Sequence, residues 1–100
     1  MNTSAASNEF MTTPILGLEQ EIDSFTTEYG LELVNGWGSQ SGPDYALVGK
    51  EHGATRAAGL KTVGDVIDSI TEIVGENPEI AAEKLHAVLK LDTEMRQRRP

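Results

Sequence analysis

The chain contains no cysteine. That excludes disulfide bridges and thiolate chemistry, and it suits a reducing compartment. Long apolar runs are also missing. None approaches the roughly 20 residues that a membrane-spanning helix needs. Residues 1–13 hold no Lys or Arg and no apolar core, so a secretory signal is not expected there. Aromatic residues are few, with a single Trp. The scarcity with the largest consequence is of positive charge in one half. Residues 1–55 carry eight acids and one base, Lys50, whereas residues 56–100 carry eight acids and seven bases. The net charge of −8 therefore arises almost wholly in the first half. Such a surface repels nucleic acid and anionic membranes and attracts basic partners. Direct binding to nucleic acid or to a membrane is not expected.

One hundred residues with 38% hydrophobic content are enough for one modest hydrophobic core. Residues 13–100 are read as a single α+β domain. Residues 1–12, rich in Asn, Ser, Thr and Ala, are read as a disordered tail. A cytoplasmic location is expected.

Thr13-Pro14 carries a cap-then-proline signal. Ile15, Leu18, Ile22, Phe25 and Tyr29 then recur at spacings of three and four, which predicts a helix over 14–29 ended by Gly30. Residues 31–37 and 45–48 are β-prone and flank a Ser/Gly/Pro turn. They predict a small antiparallel β-hairpin, which must pack on helices to be stable. Residues 54–61 are expected to form a short helical turn, weakened by Gly59. Thr62 with Asp65 is a capping-box variant opening a helix over 62–74. Its apolar face is wide: Val63, Val66, Ile67, Ile70, Ile73 and Val74. Gly75 ends it, and Asn77-Pro78 opens a last helix over about 78–97. The three-residue link predicts an antiparallel α-hairpin.

Most chemistry that the residues invite fails on spacing. Gly36, Gly38 and Gly42 give GxGxxxG rather than a dinucleotide fingerprint, and no helix opens there to face a phosphate. Gly49-Lys50 is followed by Glu51, which breaks the P-loop pattern. Glu83 and His86 form one E-x-x-H with Glu79 a turn earlier. A carboxylate-bridged metal pair needs a second copy, and none exists, so no metal or cofactor is expected. Ser39, Ser41, Asp44 and His52 supply the residue types of a triad without a nucleophile elbow. The last two helices superficially suggest a helix-turn-helix, but the second starts with Pro78-Glu79 rather than with basic and amide side chains. The reading is non-enzymatic, and no catalytic residue is assigned.

What remains is acid without a local partner. Glu19 and Asp23 stand one turn apart, Glu28 follows, and no base lies at helical spacing from them. Glu32 lies in the strand after them. Asp68 and Glu72 form another unpaired couple. Solvation alone accounts for part of such a surface. Trp37 and Tyr45, in or beside the hairpin loop, are candidate binding anchors, although a lone Trp in a small domain is more often core.

In these overall properties, in the acids Glu19, Asp23, Asp68 and Glu72, and in the loop Asn35-Gly36-Trp37-Gly38, the chain resembles the short phage-encoded inhibitors, anti-CRISPR proteins among them. The resemblance implies a protein acting in the bacterial host's cytoplasm. Its partner would be a larger protein or complex with a basic, nucleic-acid-binding surface, and it would stop target DNA from engaging an RNA-guided surveillance complex. The partner-binding residues would be Glu19, Asp23, Glu28, Glu32, Trp37, Tyr45, Asp68 and Glu72. The alternative is a homodimeric helical structural or adaptor module, because the wide apolar face of the 62–74 helix exceeds what one neighbouring helix covers.

Overall fold

The computed structural model describes residues 8–35 and 44–97. The order is α1 (Asn8–Met11), α2 (Glu19–Thr27), β1 (Leu31–Asn35), β2 (Tyr45–Gly49), β3 (Thr55–Leu60), α3 (Val63–Val74) and α4 (Pro78–Gln97). The α+β class is as expected, and so are the β1–β2 hairpin and the α3–α4 hairpin. Trp37, with the rest of 36–43, and Arg98 and Arg99 lie outside the described residues.

The sheet is antiparallel, in the order β1-β2-β3. β1 and β2 pair in simple register from Leu31↔Gly49 to Asn35↔Tyr45. The third strand replaces the helical turn expected over 54–61. It holds two alanines and a glycine in its six residues, and no alternation of apolar and polar side chains announces it. Pairing with β2 makes it a strand, and an irregular one. Its register runs Val48↔Thr55, Leu47↔Ala57, Tyr45↔Leu60, so β3 carries an extra residue in each of two steps. Those are β-bulges, which bend a strand and re-aim side chains.

The first long helix begins at Glu19, not at residue 14. Pro14 instead bridges Thr62. Around that bridge the Ile15 amide donates to the Lys61 carbonyl at 3.0 Å and the Val63 amide to the Thr13 carbonyl at 2.8 Å. Gly17 then takes φ +96°, a left-handed conformation that stops any helix from running through it. The cap-then-proline signal at Thr13-Pro14 is thus used for a tertiary strand contact. Asn8–Met11 is helical, and Phe10 and Met11 pack on the core, so this part of the expected tail is ordered. Met11 sits so close to α3 that a Cβ on Gly64 would lie 2.7 Å from its carbonyl oxygen.

The second half follows its local signals. Thr62 Oγ1 accepts from the Asp65 amide at 3.2 Å, and Asp65 Oδ2 accepts from the Thr62 amide at 3.1 Å, completing the capping box. Gly75 caps the C-terminus of α3. Asn77 Oδ1 accepts from the Glu79 and Ile80 amides, which caps α4.

The helices line one face of the sheet. Between the layers lie Ile22 and Phe25 of α2, Leu31, Tyr45, Leu47 and Leu60 of the sheet, Val63, Val66, Ile67 and Ile70 of α3, and Ala81, Ala82 and Leu85 of α4. The wide apolar arc of α3 is met by α1, α4 and β3 together. Only Val74, at the helix end, stays exposed. No described helix is long and apolar enough to cross a membrane.

Candidate functional site

The acids of the first half divide into two groups. Glu19, in the first turn of α2, reaches across to the sheet, where the Tyr45 hydroxyl donates to Oε2 at 2.6 Å. Its Oε1 accepts from the Gly17 amide at 3.0 Å. Tyr45 itself is 2% exposed, so it is a core residue and not the surface anchor that its place beside the loop suggested. The hydrogen bond to Glu19, with burial second, pushes the Tyr45 phenol up to about 12. The same bond, with the backbone donors, holds the Glu19 carboxyl below its ordinary value.

Asp23, one turn further along α2, accepts from the Leu33 amide of β1 at 2.9 Å, while the Thr26 and Thr27 hydroxyls donate to its backbone carbonyl. Glu76, in the α3–α4 link, accepts from the Tyr29 hydroxyl at 2.9 Å and meets Lys84 Nζ at 3.6 Å. Burial first, then Glu76, raises the Tyr29 phenol. Lys84 also stands over the Tyr29 ring at 5.5 Å. These three carboxylates therefore hold tertiary structure together.

The second group is exposed: Glu28 after α2, Glu32 on β1, and Asp68 and Glu72 on α3. Among the described residues, Glu32, Asp68 and Glu72 have neither a hydrogen-bond nor an ion-pair partner. They do not share one edge of the molecule. α2 packs on β1 and α3 packs on β3, with β2 between those strands. The eight candidate residues thus resolve into internal groups (Glu19, Asp23, Tyr45), two exposed pairs at opposite sides of the sheet, and Trp37, which lies outside the described residues.

Among the described residues no group of three or more His, Asp or Glu is set to hold an ion. The His86 ring packs edge-on against Phe10 of α1, with centroids 5.2 Å apart, and that gives the E-x-x-H histidine a packing role. His52 is exposed in the β2–β3 turn.

That turn borders a feature that sequence reading missed. A groove of about 440 Å³ runs between the turn, the start of β1 and the last turn of α3. Leu31, Ile73 and Val74 supply apolar wall, and Lys50, His52 and Arg56 supply cations. Lys50 and Arg56 lie on either side of the turn, but Leu31 and Val74 come from distant parts of the chain, so no local pattern signals the groove.

No family model, no curated protein and no solved structure matches this chain.

Proposed function

We propose that this chain is a small non-enzymatic interaction protein that docks an acidic surface on the basic, nucleic-acid-binding surface of a larger partner. By analogy with anti-CRISPR-type inhibitors, it acts in the cytoplasm by blocking DNA engagement by an RNA-guided surveillance complex. The observation that carries this reading is the exposed acid left over after the fold has taken what it uses. Glu28, Glu32, Asp68 and Glu72 are exposed, and the chain's net charge is −8. Carboxylates of this kind pair with Lys and Arg lining a groove and speed encounter with a positive surface. Occlusion asks less of the chain than duplex mimicry. Double-stranded DNA carries a charge every ~1.7 Å along its axis, a density that two pairs of acids do not approach.

The contact is assigned either to Glu28 with Glu32 or to Asp68 with Glu72, which lie toward different edges of the sheet, rather than to Glu19, whose two oxygens both accept internal bonds, or Asp23, whose Oδ1 holds the Leu33 amide. The homodimer alternative rests on the exposed Val74 and Ile80 near the α3–α4 link, since the rest of the α3 arc is covered.

The test is competition. A purified RNA-guided surveillance complex is titrated with fluorescent target DNA in the presence and absence of the protein, over a salt series. The expected result is loss of DNA binding that weakens as salt rises and is reduced by Glu28→Lys with Glu32→Lys, or by Asp68→Lys with Glu72→Lys. DNA binding untouched at every protein concentration, or competition indifferent to both reversals, would reject the proposal.

A further inference from the structure

The groove under the β2–β3 turn has the composition of a ligand site; of the exposed acids used above, Glu72 lies next to it, in a neighbouring depression that shares Arg56 and Ile73. Its size, about 440 Å³, falls among small-molecule pockets, which span roughly 300–1,000 Å³. Its apolar wall includes Val74, which is 45% exposed at the end of a helix whose other large apolar side chains are covered or half-covered.

Its polar rim is basic in a chain that is otherwise short of bases. Lys50 is the single base of the first 55 residues, and it stands on this rim with His52 and Arg56. All three are exposed. Among the described residues none has a side-chain hydrogen bond or an ion pair, so their donors are available to a ligand.

Arg56 is brought there by a backbone device. It is the extra residue between the pairs Val48↔Thr55 and Leu47↔Ala57. In a regular strand the alternation from Ala57, whose side chain packs on the core, would send the next side chain to the opposite face of the sheet. The bulge breaks that alternation, and Arg56 lines the groove together with Leu31 and Ile73 of the core side. The turn before it is closed by the Gly49 amide donating to the Ala54 carbonyl at 2.9 Å and the Gly53 amide donating to the Gly49 carbonyl at 2.7 Å. Lys50 and His52 therefore project from a hydrogen-bonded loop.

From this geometry we infer that the groove binds a small monoanionic carboxylate with an apolar body, of the medium-chain fatty-acid class. The apolar tail lies against Ile73 and Val74, and the carboxylate meets Arg56 and Lys50. A guanidinium takes a carboxylate in two parallel hydrogen bonds. The single charge follows from the local balance. Glu51 also lines the groove and Glu72 stands in the adjoining depression with Arg56, which leaves the two permanent cations a net surplus of at most one. A polyanion such as phosphate would meet that small surplus and the repulsion of the whole chain, without gaining from the apolar wall.

The experiment is an amide chemical-shift titration of the full chain with sodium octanoate, with 1-octanol and inorganic phosphate as comparison probes. The expected result is saturable shifts centred on residues 49–54 and 73–74, with binding at least tenfold weaker for 1-octanol and no saturation with phosphate. Lys50→Gln combined with Arg56→Gln, both exposed and outside the core, should weaken octanoate at least tenfold while leaving distant resonances in place. Shifts that do not saturate, or that centre on the other exposed apolar residues Leu16 and Ile80, would overturn the inference. So would equal affinity for octanoate and 1-octanol, equal affinity for octanoate and phosphate, or a double variant that binds like the wild type. None of these outcomes bears on DNA competition by the acidic pairs, so the two proposals fail separately.

Discussion

Helices α2 and α3 each present two acids one turn apart, and the two couples do different work. On α2, Glu19 and Asp23 are bonded to a phenol and to a strand amide. On α3, Asp68 and Glu72 face outward with no partner among the described residues. The difference is in what each helix packs against. α2 lies on β1 with its acids turned toward the sheet, where a free amide and a buried hydroxyl need acceptors. α3 turns Val63, Val66, Ile67 and Ile70 inward and leaves its acids for solvent. Equal spacing and equal charge thus conceal a structural couple and an available one. A buried donor without an acceptor is costly, so the fold claims carboxylates wherever its own polar groups would otherwise be orphaned.

The comparison predicts a graded series of stability effects. The largest belongs to Asp23→Ala, which leaves the Leu33 amide without its acceptor and should cost about 2 kcal/mol in urea unfolding. Asp23→Asn keeps an acceptor oxygen and should recover most of that loss. If Asp23→Ala unfolds at the wild-type midpoint, the tie between α2 and β1 has no energetic weight.

Next comes Tyr45→Phe, which keeps the buried ring and deletes the hydroxyl, at about 1 kcal/mol. Its signature is in the pH profile. Tyr45 is raised from 10.0 to about 12 in the fold, so its contribution is complete below pH 10 and is lost as pH climbs from 10 to about 12. Glu19 is lowered, so its contribution is present above the ordinary carboxylate value and is lost as pH falls through the depressed one. Tyr45→Phe should flatten the alkaline arm, leaving the loss due to Tyr29, which is also raised, and should shrink the acid arm, leaving what the backbone donors to Glu19 and the lowered Glu76 contribute. An unchanged profile would contradict the pairing.

The smallest effect is expected on α3. Asp68→Ala and Glu72→Ala should each stay within about 0.5 kcal/mol of wild type by the same urea assay. A loss comparable to that of Asp23→Ala would mean that the α3 couple is structural too, and would remove it as a docking pair.

Much of the second half was legible because its signals are local. Thr62 with Asp65, Gly75, and Asn77 with Pro78 act within a turn of themselves, and each appears as a cap. The first half was harder because its partners are remote. Asp23 finds its donor ten residues away and Glu19 finds its own 26 residues away, so a search for bases at helical spacing reads both as free. Thr13-Pro14 looked like a helix start because pairing with Lys61 to Val63 leaves no local trace. The β3 segment carries a local helical signal because Ala57 and Ala58 favour helix, while the β2 edge that recruits them comes from elsewhere. Of the candidate surface, Glu28, Glu32, Asp68 and Glu72 are where exposure was expected. Tyr45 is core because its ring alternates inward with Leu47.

The Asp23 carboxylate has a consequence beyond the stability of one helix. β1 is an outer strand, and the Leu33 amide points away from β2, toward whatever comes alongside. An open amide there is a template for a strand from another molecule, the first step toward aggregation. Asp23 occupies that amide with an acceptor from its own chain and sets a negative charge at the seam. The far side is protected differently, by the two extra residues that disrupt the ladder of β3. Among the described residues the sheet has three strands, and a further strand pairing at Leu33 would first require Asp23 to release that amide.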